Sequence, residues 1–348
     1  MTTLRELAIH LGLSPATVSR ALNGFPEVGE KTRLRVIAAA EQLHYRPNST
    51  AKKLATGKSG MVGIIFRAAH NLMVDPHFLE YLAGLSMGLA ERELDLLLRH
   101  AAPGAQLNSY ERLIASGSVD GVIVSAPEID DPRIAMLTQQ GFPFVVHGRV
   151  GDDVDHGFYD IDNHGAFTRA TELLVALGHR RIAFLNGSSG QAFAVQREAA
   201  FRTTLAANGI HIPAQFVSHS EMSEDTGYHQ ASQWLSGLHG LPPTAFLCSS
   251  TLITIGVMRA AGEAGLEIGK DISIIAHDDV LPHLRAEHFS TPLTVTRAPI
   301  RDAGFALADM IHQRIDGAEP KSLQRTAPVD LIVRNSTGAA PETGGQAW

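Results

Sequence analysis

Ser14-Pro15-Ala16-Thr17-Val18-Ser19-Arg20 sets one guanidinium among small side chains, and these are the residue types that read base edges. The Arg20 fork can donate two hydrogen bonds to the O6 and N7 of a guanine, while Pro15, Ala16 and the Thr17 methyl suit a thymine methyl. Ser14, Ser19 and Asn23 complete the candidate DNA contacts of this stretch. Further on, Asn48, Lys52, Lys53 and Leu54 form a second group. The lysines suit phosphates and Leu54 suits a wedge between base steps in a minor groove. A short helix with Leu54 packed on the preceding domain fits those four residues equally well.

The elements that would hold these residues are written at both ends. Thr3-Leu-Arg-Glu6 is a capping box, Leu4, Leu7, Ala8 and Leu11 form an apolar stripe, and Gly12 ends that helix. Ser14 caps a second helix with proline at its first position and Gly24 as its stop. Val18 and Leu22 then face the first helix. Two short helices around a tight turn are the layout of a helix-turn-helix, though a plain helical hairpin has the same grammar. Lys31 to His44 reads as a third helix with Leu34, Ile37, Ala38 and Leu43 carrying its period, and Tyr45-Arg-Pro47 stops it. Asn48 can cap a last short helix to Ala55, before the linker Thr56 to Gly60. So short a helix is marginal without a partner.

At 348 residues the chain holds more than one domain, and its mean hydropathy of +0.01 is that of a globular protein. Its apolar runs are strand-sized, no signal peptide is evident, and a cytoplasmic protein is expected. Cys248 is the single cysteine, which excludes an internal disulfide and a cysteine-based zinc site. Residues 1–58 carry nine Lys or Arg against four Asp or Glu, or +5, so the remainder of a chain of net charge -7 carries -12. A basic head on an acidic body directs only the head to a polyanion.

From Met61 the pattern becomes strand, turn, helix, repeated: Val62 to Phe66, Pro76 to Leu94, Leu94 to Arg99, Leu107 to Ser116, Gly121 to Ser125, Pro132 to Gln140 and Phe144 to His147. It restarts with the helix Asn163 to Leu177 and runs through strands at Ile182, Phe216, Ala245 and Ser273. Two doubly wound parallel α/β lobes account for the length. Ligands of such sheets lie beyond the carboxyl ends of the strands, here Phe66-Arg67, Ser125-Ala126, His147 to Arg149, Asn186 to Ser188, Ser249 to Thr251 and His277 to Asp279. Those ends suit a neutral hydroxylated ligand or a small anion.

The chain resembles the LacI/GalR family of transcriptional regulators over nearly its whole length, through Ser14 to Gly24, Leu43-His-Tyr-Arg-Pro-Asn48, Asp162-Asn163, Leu177-Gly-His-Arg-Arg-Ile-Ala183, Asp278-Asp279 and Val333-Arg-Asn-Ser-Thr337. The resemblance implies residues 1–58 as a helix-turn-helix head with hinge helix, and 61–348 as a periplasmic-binding-protein-like core for effector binding and dimerisation. Strand exchange between lobes is expected near 160, 291 and 323, giving an N-lobe of 61–160 plus 292–322 and a C-lobe of 161–291 plus 323–338. A homodimer or tetramer on a palindromic operator is implied, with Leu54 in the central minor groove. Arg197 and Asp278 match the family's ligand-binding Arg and Asp. The candidate effector contacts are Phe66, Arg67, Phe78, Ser125, His147, Arg149, Arg197, Ser250 and Asp278. Ser250-Thr251 and Ala276-His277 depart from the usual family residues at those positions. Pro143 to Arg149 is similar to regulators of α-glucoside use.

No catalytic constellation, cofactor or metal site is expected. Gly57-Lys-Ser59 has the tail of a phosphate loop but Lys52 where the earlier glycine belongs, and Gly187-Ser-Ser-Gly190 lacks nucleophile-elbow spacing. The leading expectation is a repressor of sugar-utilisation genes released from DNA by a small sugar. The alternatives are a corepressor-dependent regulator answering a non-sugar metabolite, a solute-binding protein, and a sugar-processing enzyme with a DNA-binding head.

Overall fold

The computed structural model describes residues 2–22, 24–45, 57–67, 75–102, 104–238 and 240–342. The chain divides into two compact units, Met1–Gly60 and Met61–Trp348.

In the first unit α1 (Leu4–Leu11) is closed by the Thr3/Glu6 capping box and by Gly12 at φ 64°. Leu13 N donates to Ala8 O at 3.0 Å, so the turn satisfies carbonyls that the helix end would strand. α2 (Pro15–Leu22) begins under Ser14, whose Oγ accepts from Thr17 N at 3.1 Å. α3 spans Glu30–Gln42. Leu7, Ala8, Val18, Ala21, Val28, Val36, Ala39 and Ala40 form the core. The expected face of α3 is corrected here: Leu34 and Ile37 are 59% and 39% exposed, whereas Val36, Ala39 and Ala40 are buried. Both sets have helical spacing, and the small alanines are what let α3 lie close to α1 and α2.

The second unit contains two six-stranded sheets. The first has the order β11-β5-β4-β3-β1-β2, from β1 (Met61–Arg67), β2 (Asp95–Ala101), β3 (Gly121–Ser125), β4 (Phe144–His147), β5 (Gly157–Ile161) and β11 (Gln324–Ala327), all parallel. The second has the order β12-β10-β9-β8-β6-β7, from β6 (Ile182–Asn186), β7 (Val217–His219), β8 (Ala245–Cys248), β9 (Ser273–Asp278), β10 (Thr294–Arg297) and β12 (Asp330–Ile332), with β12 antiparallel at the edge. Central strands such as Gly121-Val-Ile-Val-Ser125 are continuous apolar runs because helices cover both faces. The N-lobe helices are α4 (Pro76–Ala90), α5 (Gln106–Ala115), α6 (Pro132–Gln140) and α11 (Ile300–Ile315). The C-lobe helices are α7 (Asn163–Ala176), α8 (Ala192–Ala207), α9 (Glu224–Leu235) and α10 (Thr251–Glu263).

The lobe boundaries expected near 291 and 323 are wrong. β10 pairs with β9 and so belongs to the C-lobe, while β11 pairs with β5 and belongs to the N-lobe. The chain therefore crosses after Ile161, between Arg297 and Ile300, and between Ala327 and Asp330. β10 and β11 are four residues long each, and only the ladder partner decides the sheet of so short a strand. Among the described residues no helix is long and apolar enough to cross a membrane.

Candidate functional site

On the head, Ser14, Pro15, Ala16 and Arg20 are exposed and Thr17 and Ser19 half-buried, while Val18 and Ala21 are fully inside. The same helix that packs on α1 thus turns its small side chains and its one guanidinium outward. Other cations have structural duties: Arg33 donates to Phe25 O at 3.0 Å and Arg35 to Leu11 O. Asn23, Asn48, Lys52, Lys53 and Leu54 lie outside the described residues.

In the core, parallel strand ends from both lobes converge. Ser125 ends β3 and is in register with His147 at the end of β4. The His147 ring stacks on Tyr81 of α4, with centroids 4.7 Å apart, and burial pushes its pKa down to about 4, so it is neutral. Phe66 meets Phe78 at 5.7 Å and His100 at 5.9 Å. Arg67 ends β1 beside Ala101. Arg149, just beyond β4, bonds Asp152 through Nη1 at 2.6 Å and turns Nε toward Asp160, 3.9 Å away.

Arg197 of α8 is buried between the rings of Phe167 and Phe193, each 4.8 Å from its guanidinium carbon. It donates to Asn163 Oδ1 at 2.8 Å and to Ser249 O at 2.9 Å. Burial lowers its pKa to about 10, which leaves it charged at neutral pH. The carboxylates whose charge supports Arg197 are Asp279 and Asp160. Asp278 accepts from Val280 N at 2.8 Å, and burial raises its pKa. Ser250 is spent similarly on local structure, capping α10 through Ile253 N at 3.2 Å.

Sequence reasoning missed the groups that span the lobes. His77 on α4 lies 3.1 Å from Asp75 and 3.2 Å from Asp279, and Asp279 lies 3.6 Å from His277. Burial by itself would lower the His77 pKa, but its bonds to Asp279 and Asp75 outweigh burial and raise it to about 10. Burial likewise opposes ionisation of Asp279, and the two histidines reverse this, holding its carboxyl well below the usual range. Asn163 donates to Asp160 Oδ1 at 3.1 Å while accepting from Arg197, and Gln196 Nε2 donates to Arg149 O at 2.9 Å. At the rim Ala192 N donates to Pro127 O at 2.9 Å and Ile129 N to Gly190 O at 3.4 Å. Asp162-Asn163 and Asp278-Asp279 stood out as motifs, and that was the available signal.

This arrangement has a mixed, nearly compensated charge and many hydroxyl-sized polar groups, with stacked rings at its margin. Comparison with known proteins agrees with both halves of the architecture. The model for bacterial regulatory proteins of the lacI family matches residues 3–48, and that for periplasmic binding protein-like domains matches 171–337. The transcriptional regulator AglR of Rhizobium meliloti (strain 1021) is 45% identical over 340 residues, 97% of this chain and 95% of that protein. The chain belongs to the LacI family of DNA-binding transcriptional regulators. The HTH-type transcriptional regulator RafR of Escherichia coli is 33% identical over 93% of this chain and 95% of its own. The lac repressor dimer bound to operator and the anti-inducer ONPF is similar with a TM-score of 0.81 at 28% identity, covering 97% of this chain and 99% of that one. The regulator CelR in complex with cellobiose is similar with a TM-score of 0.69 at 27% identity, covering 97% and 100%.

Proposed function

We propose that this LacI-family regulator is a homodimeric repressor that leaves a palindromic operator when a neutral glucosidic sugar binds between the lobes of its core. The observation that carries this reading is the interlobe polar set: Ser125, Arg149, Asp160, Gln196 and Arg197 offer donors and acceptors from both lobes, and among the described residues no unopposed cationic cluster joins them. A sugar phosphate would ask for such a cluster. Hydroxyls, which donate and accept, match an arginine fork beside carboxylates. The complex of CelR with cellobiose supports a glycoside as the ligand class. The stretch Pro143 to Arg149 points to α-glucosides.

On DNA, Ser14, Pro15, Ala16, Thr17, Ser19 and Arg20 of each subunit face one half-site. The two half-sites are then one helical turn, about 34–36 Å, apart. The sugar changes operator affinity through a coupling of about 1–3 kcal/mol. Calorimetry of the full chain against α-glucosides, galactosides, nucleobases and sugar phosphates tests the ligand class, and gel shifts with its own promoter fragment test the direction. An α-glucoside that binds and releases the DNA is the expected result. A nucleobase or phosphate ligand, or a ligand that tightens DNA binding, would overturn it.

A further inference from the structure

Asp160 sits one residue from the end of β5, the strand that feeds the first crossover between lobes. It is 5% exposed. Asn163 holds one of its oxygens at 3.1 Å. The other, Oδ2, is buried without a hydrogen bond, as are the facing Arg149 Nε and Gln196 Oε1. Such groups are costly to leave unpaired, and more so when charged. Two neighbouring acceptors and one donor are thus assembled from both lobes: Asp160 and Arg149 from the N-lobe and Gln196 from the C-lobe. Their orientations are fixed by other bonds. Asn163 holds the carboxylate, and the bond from Gln196 Nε2 to Arg149 O fixes which way the amide oxygen turns.

Two acceptors beside one donor are complementary to adjacent sugar hydroxyls, which give two protons and take one. A carboxylate-bearing sugar brought to the same place would face a carboxylate and an amide oxygen. We propose that Asp160 is the specificity-determining residue of the effector site, accepting hydroxyl protons from a neutral glycoside and rejecting its uronate counterpart. This rests on the sugar reading above. Burial raises the Asp160 pKa to about 6 despite Arg149 and Arg197, so the carboxylate is ionised at neutral pH and available for both roles.

The test is calorimetry of the full chain at pH 7.5 with maltose, trehalose and sucrose as neutral α-glucosides and with glucuronate as the anionic sugar. Wild type should bind at least one neutral sugar and discriminate against glucuronate. Asp160→Asn should weaken the neutral sugar at least 10-fold and reduce the neutral-to-anionic preference by 10-fold or more. Thermal melting checks that the variant is folded. If it is not, Gln196→Leu, which removes the second acceptor together with the amide donor to Arg149 O, should still weaken the neutral sugar about 10-fold. A wild type that binds a neutral sugar while folded Asp160→Asn leaves affinity and preference unchanged would overturn this inference alone. A wild type that prefers glucuronate would overturn it too, and one that binds none of these sugars would overturn the sugar reading with it.

Discussion

Arg20 carries the sharpest consequence at the scale of single residues. It is the exposed cation of α2, a helix otherwise presenting Ser14, Pro15, Ala16 and Thr17 outward. An arginine fork reads guanine bidentately, with discrimination of about 1–3 kcal/mol per base pair. Arg20→Ala is expected to lose that discrimination at one guanine in each half-site while leaving nonspecific affinity nearly intact. Gel shifts on the operator, on operators altered at single guanines and on random DNA measure this. Equal losses on specific and random DNA would show that Arg20 only contacts phosphate. The outward position of Arg20 was legible in the sequence, because Ser14 and Gly24 set the helix and Val18 sets its phase. The roles of Asp278 and Asp279 were not. They are adjacent in the chain, and which one meets His77 depends on how β9 ends in three dimensions.

Helix pairs make the next scale. α4 and α11 cross so closely that a Cβ added at Gly84 would lie 2.2 Å from Arg301 O, and one at Gly304 would lie 2.4 Å from Leu85 N. Backbone rather than flexible side chain blocks the way, so the helices themselves must part. α4 also carries His77 and Tyr81, and its seating places both at the interlobe site. Gly84→Ala should destabilise the N-lobe by about 3 kcal/mol, at the upper end for overpacking, and should weaken effector binding as well. Gly262→Ala on α10, where nothing lies within 4 Å, should instead stabilise by about 0.5–1 kcal/mol. Thermal melts of the two variants compare them directly, and equal behaviour would refute the close-crossing account. Element boundaries were largely readable: α6, β3, β4 and β8 run as their caps and apolar runs indicate. The buried face of α3 was not, since two apolar stripes compete there and only packing chooses between them.

Across the whole core, the ion pair of His77 with Asp279 ties α4 of the N-lobe to the end of β9 in the C-lobe. Breaking a buried pair of this kind costs about 3 kcal/mol or more, because the remaining charge loses its partner. The folded His77 pKa, raised from 6.5 to about 10, fixes the sign of the pH effect. Its contribution to stability is fully present below about pH 6.5 and is lost as pH rises toward 10. Asp75, Asp279, His277, His147 and Arg197 surround the pair; Asp279 stays ionised and His147 neutral over this window. The melting temperature of the protein should therefore fall between pH 7 and pH 10. His77→Gln should lower it at pH 7 and flatten that slope. A variant with the wild-type slope would place the pH dependence elsewhere.

The sequence by itself determined what short-range chemistry governs. Thr3 with Glu6, Gly12, Ser14 and Gly24 bound two helices through contacts within a few residues, and together with the family motifs they settle a DNA-binding head on a two-lobe α/β core. Tertiary structure alone decided which lobe owns β10 and β11, and that Asp160, Asn163, Gln196, His77 and Asp279 gather at one site. His77 and Asp279 are about two hundred positions apart in the sequence, and neither has a local pattern that names the other. Their pairing follows from the crossing of the chain between two sheets, a long-range outcome in which burial forces each charge to find its partner.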